Sequence, residues 1–160
     1  MLANLMKEDL IIMDLHSREK MLVIREMIDR LKQAGEIANW IDCLNVISER
    51  EQLKTTGIGE GIAIPHARTN AVKNLVIAFA RSREGIDFKS IDGQPVHLIF
   101  MLVSPPPDAG LYLNALARIC ALLRRKDFKE SLIKADNAQE IISLIRESEI
   151  MGGRESAKTG

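Results

Sequence analysis

The chain predicts a single α/β domain, a mixed β-sheet flanked by helices. Three observations carry this. Two long apolar runs, "LVIAFARS" (75–82) and "VHLIFMLVS" (96–104), are nearly continuous in branched and aromatic residues, as strands buried on both faces are. Segments with apolar residues at helical spacing stand before and after them, so the order is helices, strands, helices. No internal repeat and no linker divides the 160 residues, a length that suits one core.

The elements follow in order. "EDLIIMDLH" (8–16) reads as a short strand or extended lead-in, and Ser17 stands where an N-cap would, with Glu19 in the first turn. Met21, Ile24, Met27, Ile28 and Leu31 then recur at helical spacing until Gly35 ends the run. Ile37, Trp40, Ile41, Leu44 and Ile47 mark a second helix reaching about Leu53. "GIAI" (61–64) is a short buried strand stopped by Pro65, and "GIDFKSIDGQP" (85–95) is turn-like. The prolines of "PPPDAG" (105–110) make a rigid loop outside helix and ladder. A third helix places Leu113, Leu116, Ala117, Cys120 and Leu123 on one face, with basic residues 124–126 at its C-terminal end, where cations are favoured. Asp127 caps a short helix to about Lys134, and Asn137 starts a last one with Ile141, Leu144 and Ile145. The domain therefore spans 1–150, and residues 151–160, without periodicity, read as a disordered tail.

Composition excludes several function classes. No apolar run reaches the roughly 18 residues of a membrane span, and the N-terminus has no secretory pattern, so the protein is expected in the cytoplasm and not embedded in a membrane. With 22 basic and 22 acidic residues, the net charge of zero argues against nucleic acid as the main partner. Cys43 and Cys120 lack motif spacing and read as packed thiols in a reducing compartment. Met21 and Met27 read as core, and His97, inside an apolar strand, as a structural residue with a local hydrogen-bond partner.

The least ordinary stretch is "TTGIGEGIAIPHAR" (55–68). Its glycines do not fit the dinucleotide fingerprint, because the sixth position from Gly57 is Ile62 and from Gly59 is Ile64; the Gly-Lys-Ser/Thr of a nucleotide P-loop is also missing. His66 has no histidine or cysteine within five positions, and His16 and His97 are 30 or more residues away, so the spacing does not ask for a metal. What remains is a histidine acting alone. An imidazole with a pKa near about 6.5 is mostly neutral at pH 7. With one ring nitrogen donating to a fixed acceptor, the other can take up a phosphoryl group without a separate general base. The glycines would let backbone approach, Pro65 would fix the angle, and Ala67 would keep the far side small. The residues by themselves leave a second reading open: a helix C-cap and turn followed by a histidine facing water.

"TGIGEGIAIPHAR" resembles the phosphorylation-site motif of type 2 enzyme IIA domains. These belong to the phosphoenolpyruvate-dependent sugar phosphotransferase system, in its fructose–mannitol and nitrogen-regulatory branch. "SEREQLKTTGIG" upstream, and "DGQPVHLIFMLVSP" and "LNALARICALLR" downstream, are similar to the same family, so the likeness spans roughly residues 5 to 148. The resemblance implies the type 2 IIA fold and a phosphotransferase carrier that needs no metal, nucleotide or organic cofactor. It implies that His66 accepts the phosphoryl group from the histidine phosphocarrier protein. His66 would pass it to a cysteine of an enzyme IIB domain, or hold it as a signal toward a regulatory target protein. Arg50, of the family's "RE" pair, would lie near His66 and fork onto two phosphoryl oxygens. Glu60 matches a position where some mannitol-type members carry an acid; contact with a neighbour or tuning of the imidazole suits it better than touching the phosphoryl. Many members carry a second histidine in an "HLxxL" stretch, where this chain has "YLNAL". Tyr112 stands there instead, able to donate one hydrogen bond but not to shuttle a proton at pH 7, so a two-histidine mechanism is not expected. A single IIA domain leans toward the nitrogen-regulatory type. The alternatives are a fructose/mannitol IIA feeding sugar uptake, or a non-phosphorylated interaction domain, against which the intact "PH" argues.

Overall fold

The computed structural model describes residues 1–158. A six-stranded mixed sheet lies between two helical layers. Its strands are β1 (Met6–Ile12), β2 (Gly57–Gly59), β3 (Ile62–Ala63), β4 (His66–Arg68), β5 (Val76–Ile86) and β6 (Val96–Ser104), in the order β1-β5-β6-β3-β2 with β4 also on β6. β5 and β6 are antiparallel, β1 is parallel to β5, and β3 and β4 are both parallel to β6. β3 and β4 are thus one line of chain interrupted at Ile64–Pro65. Pro65 has no N–H for a ladder, yet its carbonyl still accepts from Leu102 N at 3.0 Å.

The helices are α1 (Lys20–Gln33), α2 (Trp40–Leu53), α3 (Ala109–Leu123), α4 (Lys126–Lys134) and α5 (Ala138–Lys158). β6 shows why the two long runs had to be central strands. Leu98, Phe100 and Leu102 face α3, α4 and α5, while Ile99, Met101 and Val103 face α1 and α2. β5 divides by size. Ile77 and Phe79 fill the α3–α5 side, where Phe79 meets Phe100 edge-on at 5.1 Å, and Ala78 and Ala80 leave room for Ile24, Met27 and Ile28 of α1. Burying branched and aromatic side chains on both faces is the main stabilising term, roughly 1.5–3 kcal/mol for each.

Several expectations shift. Ser17 does not cap α1: its N–H donates to Glu26 Oε1, and Glu19 takes the cap position, held by a bridge to Asp87. Arg125, not Asp127, precedes α4, and Asp127 sits in its first turn. The loop prolines do not exclude helix. Pro106 and Pro107 open a 3-10 turn that leads directly into α3, which costs nothing because N-terminal N–H groups have no intrahelical partner. α3 buries Tyr112, Ala115, Ile119 and Leu123, whereas Leu113 and Ala117 are exposed. Both faces of that helix are apolar, so periodicity could not choose between them. Met21 and Ile41 are exposed, and Met27 is fully buried. α5 continues to Lys158, so the described part of the expected disordered tail is helical; residues 159–160 lie outside the described residues. A solvated helix can extend without an apolar stripe, because each added residue contributes one backbone bond. No helix among the described residues is long and apolar enough to cross a membrane.

Candidate functional site

β4 is three residues long and carries the site. Strand alternation puts His66 and Arg68 on one face and Ala67 on the other. Ala67 is buried in the α1–α2 layer, so His66 and Arg68 point toward α3. His66 is half-buried, and its Nδ1 lies 2.8 Å from the carbonyl oxygen of Ile64. A carbonyl only accepts, so this nitrogen carries the proton and donates it. Nε2 is left with its lone pair. The bend at Ile64–Pro65 makes this possible, because the Ile64 carbonyl falls where the strand pairing is interrupted.

Tyr112, in the first turns of α3, lies across from this ring, with centroids 6.0 Å apart and planes tilted by 54°. Tyr112 is 5% exposed, and among the described residues its hydroxyl has no hydrogen-bond partner. Burial pushes the hydroxyl's pKa up, while the Arg50 and Arg68 guanidiniums pull it down. Arg50 is in the last turn of α2 and donates from Nη1 to the Lys54 carbonyl at 2.8 Å. That bond closes the helix end and leaves four of the five guanidinium N–H donors for other work. Arg68 donates from Nη2 to the carbonyl of Pro106, on the turn before α3. His66, Arg68 and Tyr112 thus line one side of the sheet edge, and the charges of both Arg50 and Arg68 reach the Tyr112 hydroxyl.

Two ties hold these elements together. Glu51, next to Arg50, is buried. It accepts from Thr56 N at 3.1 Å and from the Thr56 hydroxyl, and pairs with Lys20 Nζ at 2.6 Å. The Lys20 ammonium also lies 4.8 Å from the centroid of the Phe88 ring. On the other side of the site, the Thr69 hydroxyl donates to Asp42 Oδ2 at 2.5 Å, joining the end of β4 to the first turn of α2.

Glu60 is not part of this group. It sits at the β2–β3 turn with φ of 56°, its N–H bonded to Asp92 Oδ2 at 2.9 Å and its carboxylate paired with Lys129 of α4 at 3.3 Å. The β6 partners of Ile62 and His66 are Leu98 and Leu102, so Glu60 lies beyond a separation of about 13 Å along the sheet. The glycines are also elsewhere than expected. They do not open backbone toward His66. Gly59 and Gly61 turn the β2–β3 hairpin with positive φ, and a Cβ on Gly57 would stand 2.9 Å from the Ser90 Cα. Their task is to pack the hairpin against the 87–95 loop.

The remaining singled-out residues have local roles. His97 has Nδ1 2.9 Å from the Ser82 carbonyl, in keeping with a structural histidine. His16 is exposed in the bend after β1, and no group of metal-ligand side chains forms among the described residues. Cys43 is fully buried, and burial, followed by Asp42, pushes its thiol up to about 12. Burial also raises Cys120. Sequence reasoning missed Arg68, although its signal was present: it stands two residues after His66, the spacing that shares a strand face. It also passed over Glu51, whose importance depends on burial that only the packing reveals.

The family described as phosphoenolpyruvate-dependent sugar phosphotransferase system, EIIA 2, matches residues 4–148. A fructose-specific EIIABC component of Bacillus subtilis is 40% identical over 91% of the chain, which spans only 23% of that larger protein. A fructose-specific EIIA component of Haloferax volcanii is 37% identical over 78% of the chain and 80% of its own length. The crystal structure of nitrogen regulatory protein IIA-Ntr from Neisseria meningitidis superimposes with a TM-score of 0.84 at 30% identity, covering 90% of the chain and 98% of that structure.

Proposed function

We propose, for a chain that belongs to the EIIA 2 family of the phosphoenolpyruvate-dependent sugar phosphotransferase system, that His66 carries a phosphoryl group on Nε2. The observation that supports this reading is the Nδ1 contact with the Ile64 carbonyl, which sets the tautomer of the neutral ring and leaves the lone pair on Nε2. The lone pair of Nε2 attacks phosphorus in line. A new N–P bond forms as the N–P bond of the donor's phosphohistidine breaks, and the electron pair of the broken bond returns to the donor ring. His66 keeps its Nδ1 proton throughout, held by Ile64 O, so no base is needed. The Arg50 guanidinium offsets charge on the phosphoryl oxygens. The donor in this reading is the histidine phosphocarrier protein.

The onward step has two readings. The overall likeness to IIA-Ntr supports a nitrogen-regulatory role, in which the phosphorylation state governs binding to a regulatory target protein. The sequence identity to the fructose-specific proteins supports the alternative, delivery to an enzyme IIB cysteine in sugar uptake. One experiment addresses acceptance and onward transfer. The chain is loaded from phosphoenolpyruvate through enzyme I and the histidine phosphocarrier protein, then followed by intact mass. Wild type gains one acid-labile phosphoryl group, His66→Ala gains none, and Arg50→Gln loads about a hundredfold more slowly. Label persisting in His66→Ala overturns the assignment. Addition of a fructose-type IIB domain then discharges the phosphoprotein if it serves transport and leaves it loaded if it serves regulation.

A further inference from the structure

We infer that Arg68, together with the Tyr112 hydroxyl, receives the oxygens of the phosphoryl group carried by His66, so that the site has a second guanidinium besides Arg50. The inference rests on the phosphohistidine reading above. Its geometric basis is the face shared by His66 and Arg68 on β4, with Cα atoms about 6.6 Å apart along the strand. An arginine side chain spans that distance easily. The guanidinium is already turned across the mouth of the site, because Nη2 donates to the Pro106 carbonyl on the turn that leads into α3. Tyr112 lies on the opposite wall, 6.0 Å from the His66 ring, and both Arg50 and Arg68 act on its hydroxyl.

The Pro106 carbonyl is a neutral acceptor on an exposed residue. Charge-assisted hydrogen bonds are roughly twice as strong as those between neutral groups, and a planar guanidinium forks onto two phosphoryl oxygens at once. Arg68 therefore exchanges the carbonyl for the phosphoryl dianion when His66 is loaded, and the exposed carbonyl turns to water at little cost. Tyr112 adds one donor from a buried, rigid ring. Its hydroxyl has no partner among the described residues, so loading breaks no bond between it and them. Neither partner changes charge between pH 5 and 9, unlike a histidine in the same place. The arrangement gives a loaded state whose stabilisation does not fade as pH rises through neutrality.

Chemical loading separates this inference from the carrier reading. Phosphoramidate phosphorylates the full chain on histidine without any carrier protein. The lifetime of the His66 phosphoryl and its 31P resonance are then followed from pH 5 to 9 in wild type, Arg68→Met, Arg68→Lys and Tyr112→Phe. Circular dichroism of each variant reports the fold. Arg68→Met is expected to shorten the phosphoryl lifetime at least threefold and to raise the second phosphoryl ionisation by about one pH unit, as loss of an adjacent cation does. Arg68→Lys restores the ionisation but only part of the lifetime, because the ammonium lacks the fork. Tyr112→Phe shortens the lifetime without moving the ionisation. If Arg68→Met leaves both lifetime and ionisation unchanged, the inference is wrong, whatever the carriers do. If phosphoramidate loads His66 but the phosphocarrier protein does not, the carrier reading fails and the inference stands.

Discussion

Glu51 offers the sharpest test of how the site is held. Its side chain is 3% exposed, and it binds Thr56 N, the Thr56 hydroxyl and the Lys20 ammonium, itself 15% exposed. These contacts tie the C-terminal turn of α2 to the chain entering β2, and they span the residue after Arg50. Glu51→Leu keeps an apolar volume but leaves a mostly buried ammonium without its counter-charge and the Thr56 N–H without an acceptor. Breaking one side of a buried pair costs about 3–5 kcal/mol, mostly because the other charge is stranded. For 160 residues the unfolding entropy near the melting point is about 0.34 kcal/mol/K, so the melting temperature falls by roughly 9–15 °C. Lys20→Met alone should cost less, since Glu51 keeps both Thr56 bonds. The double variant should recover part of the loss, with a coupling of about 1–3 kcal/mol in urea unfolding. Arg50 would lose its fixed base, so loading of His66 should slow in Glu51→Leu even where the protein remains folded. A loss under about 1 kcal/mol, or double-variant costs that simply add, would refute the claim that this pair anchors the site.

Two further outcomes follow from buried groups away from the site. Arg81 is 1% exposed and donates to the Met13 carbonyl and to the carbonyls of Leu132, Ile133 and Ala135 at the end of α4, so Arg81→Met should cost about 3 kcal/mol in urea melts and raise amide exchange in α4 before the sheet. Cys43, with its thiol at about 12 against 9.0 for a free thiol, keeps its proton folded where the unfolded chain loses it; stability should therefore fall as pH rises from 9.0 toward 12, and Cys43→Ala should flatten that slope in alkaline denaturation.

Much of this protein is determined by the sequence itself. The nearly continuous apolar runs at 75–82 and 96–104 dictate central strands, because branched and aromatic residues on both faces need a layer on each side. The spacing in residues 21–31 dictates α1, and Pro65 stops the short strand before it, while the resumed pairing of His66 on β6 came from the sheet. The runs, the spacing and the stop are local properties, set by steric and hydrogen-bonding rules that act over a few residues. Tertiary structure decided the rest. Which face of α3 is buried depended on what the sheet presented, so Tyr112 came inside and Leu113 stayed out. The glycines could have framed His66 by sequence, but the β2–β3 hairpin turned them toward Ser90 and Asp92, and Glu60 went with them to Lys129. Arg68 and Arg50 lie 18 positions apart and both bear on Tyr112 only because β4 pairs with β6 while the Thr69–Asp42 bond ties its end to α2. The lone pair on Nε2 depends on a carbonyl two residues away that the strand break leaves free. Local sequence chooses the elements, but a site is a convergence of elements, and convergence is set by how the buried faces fit.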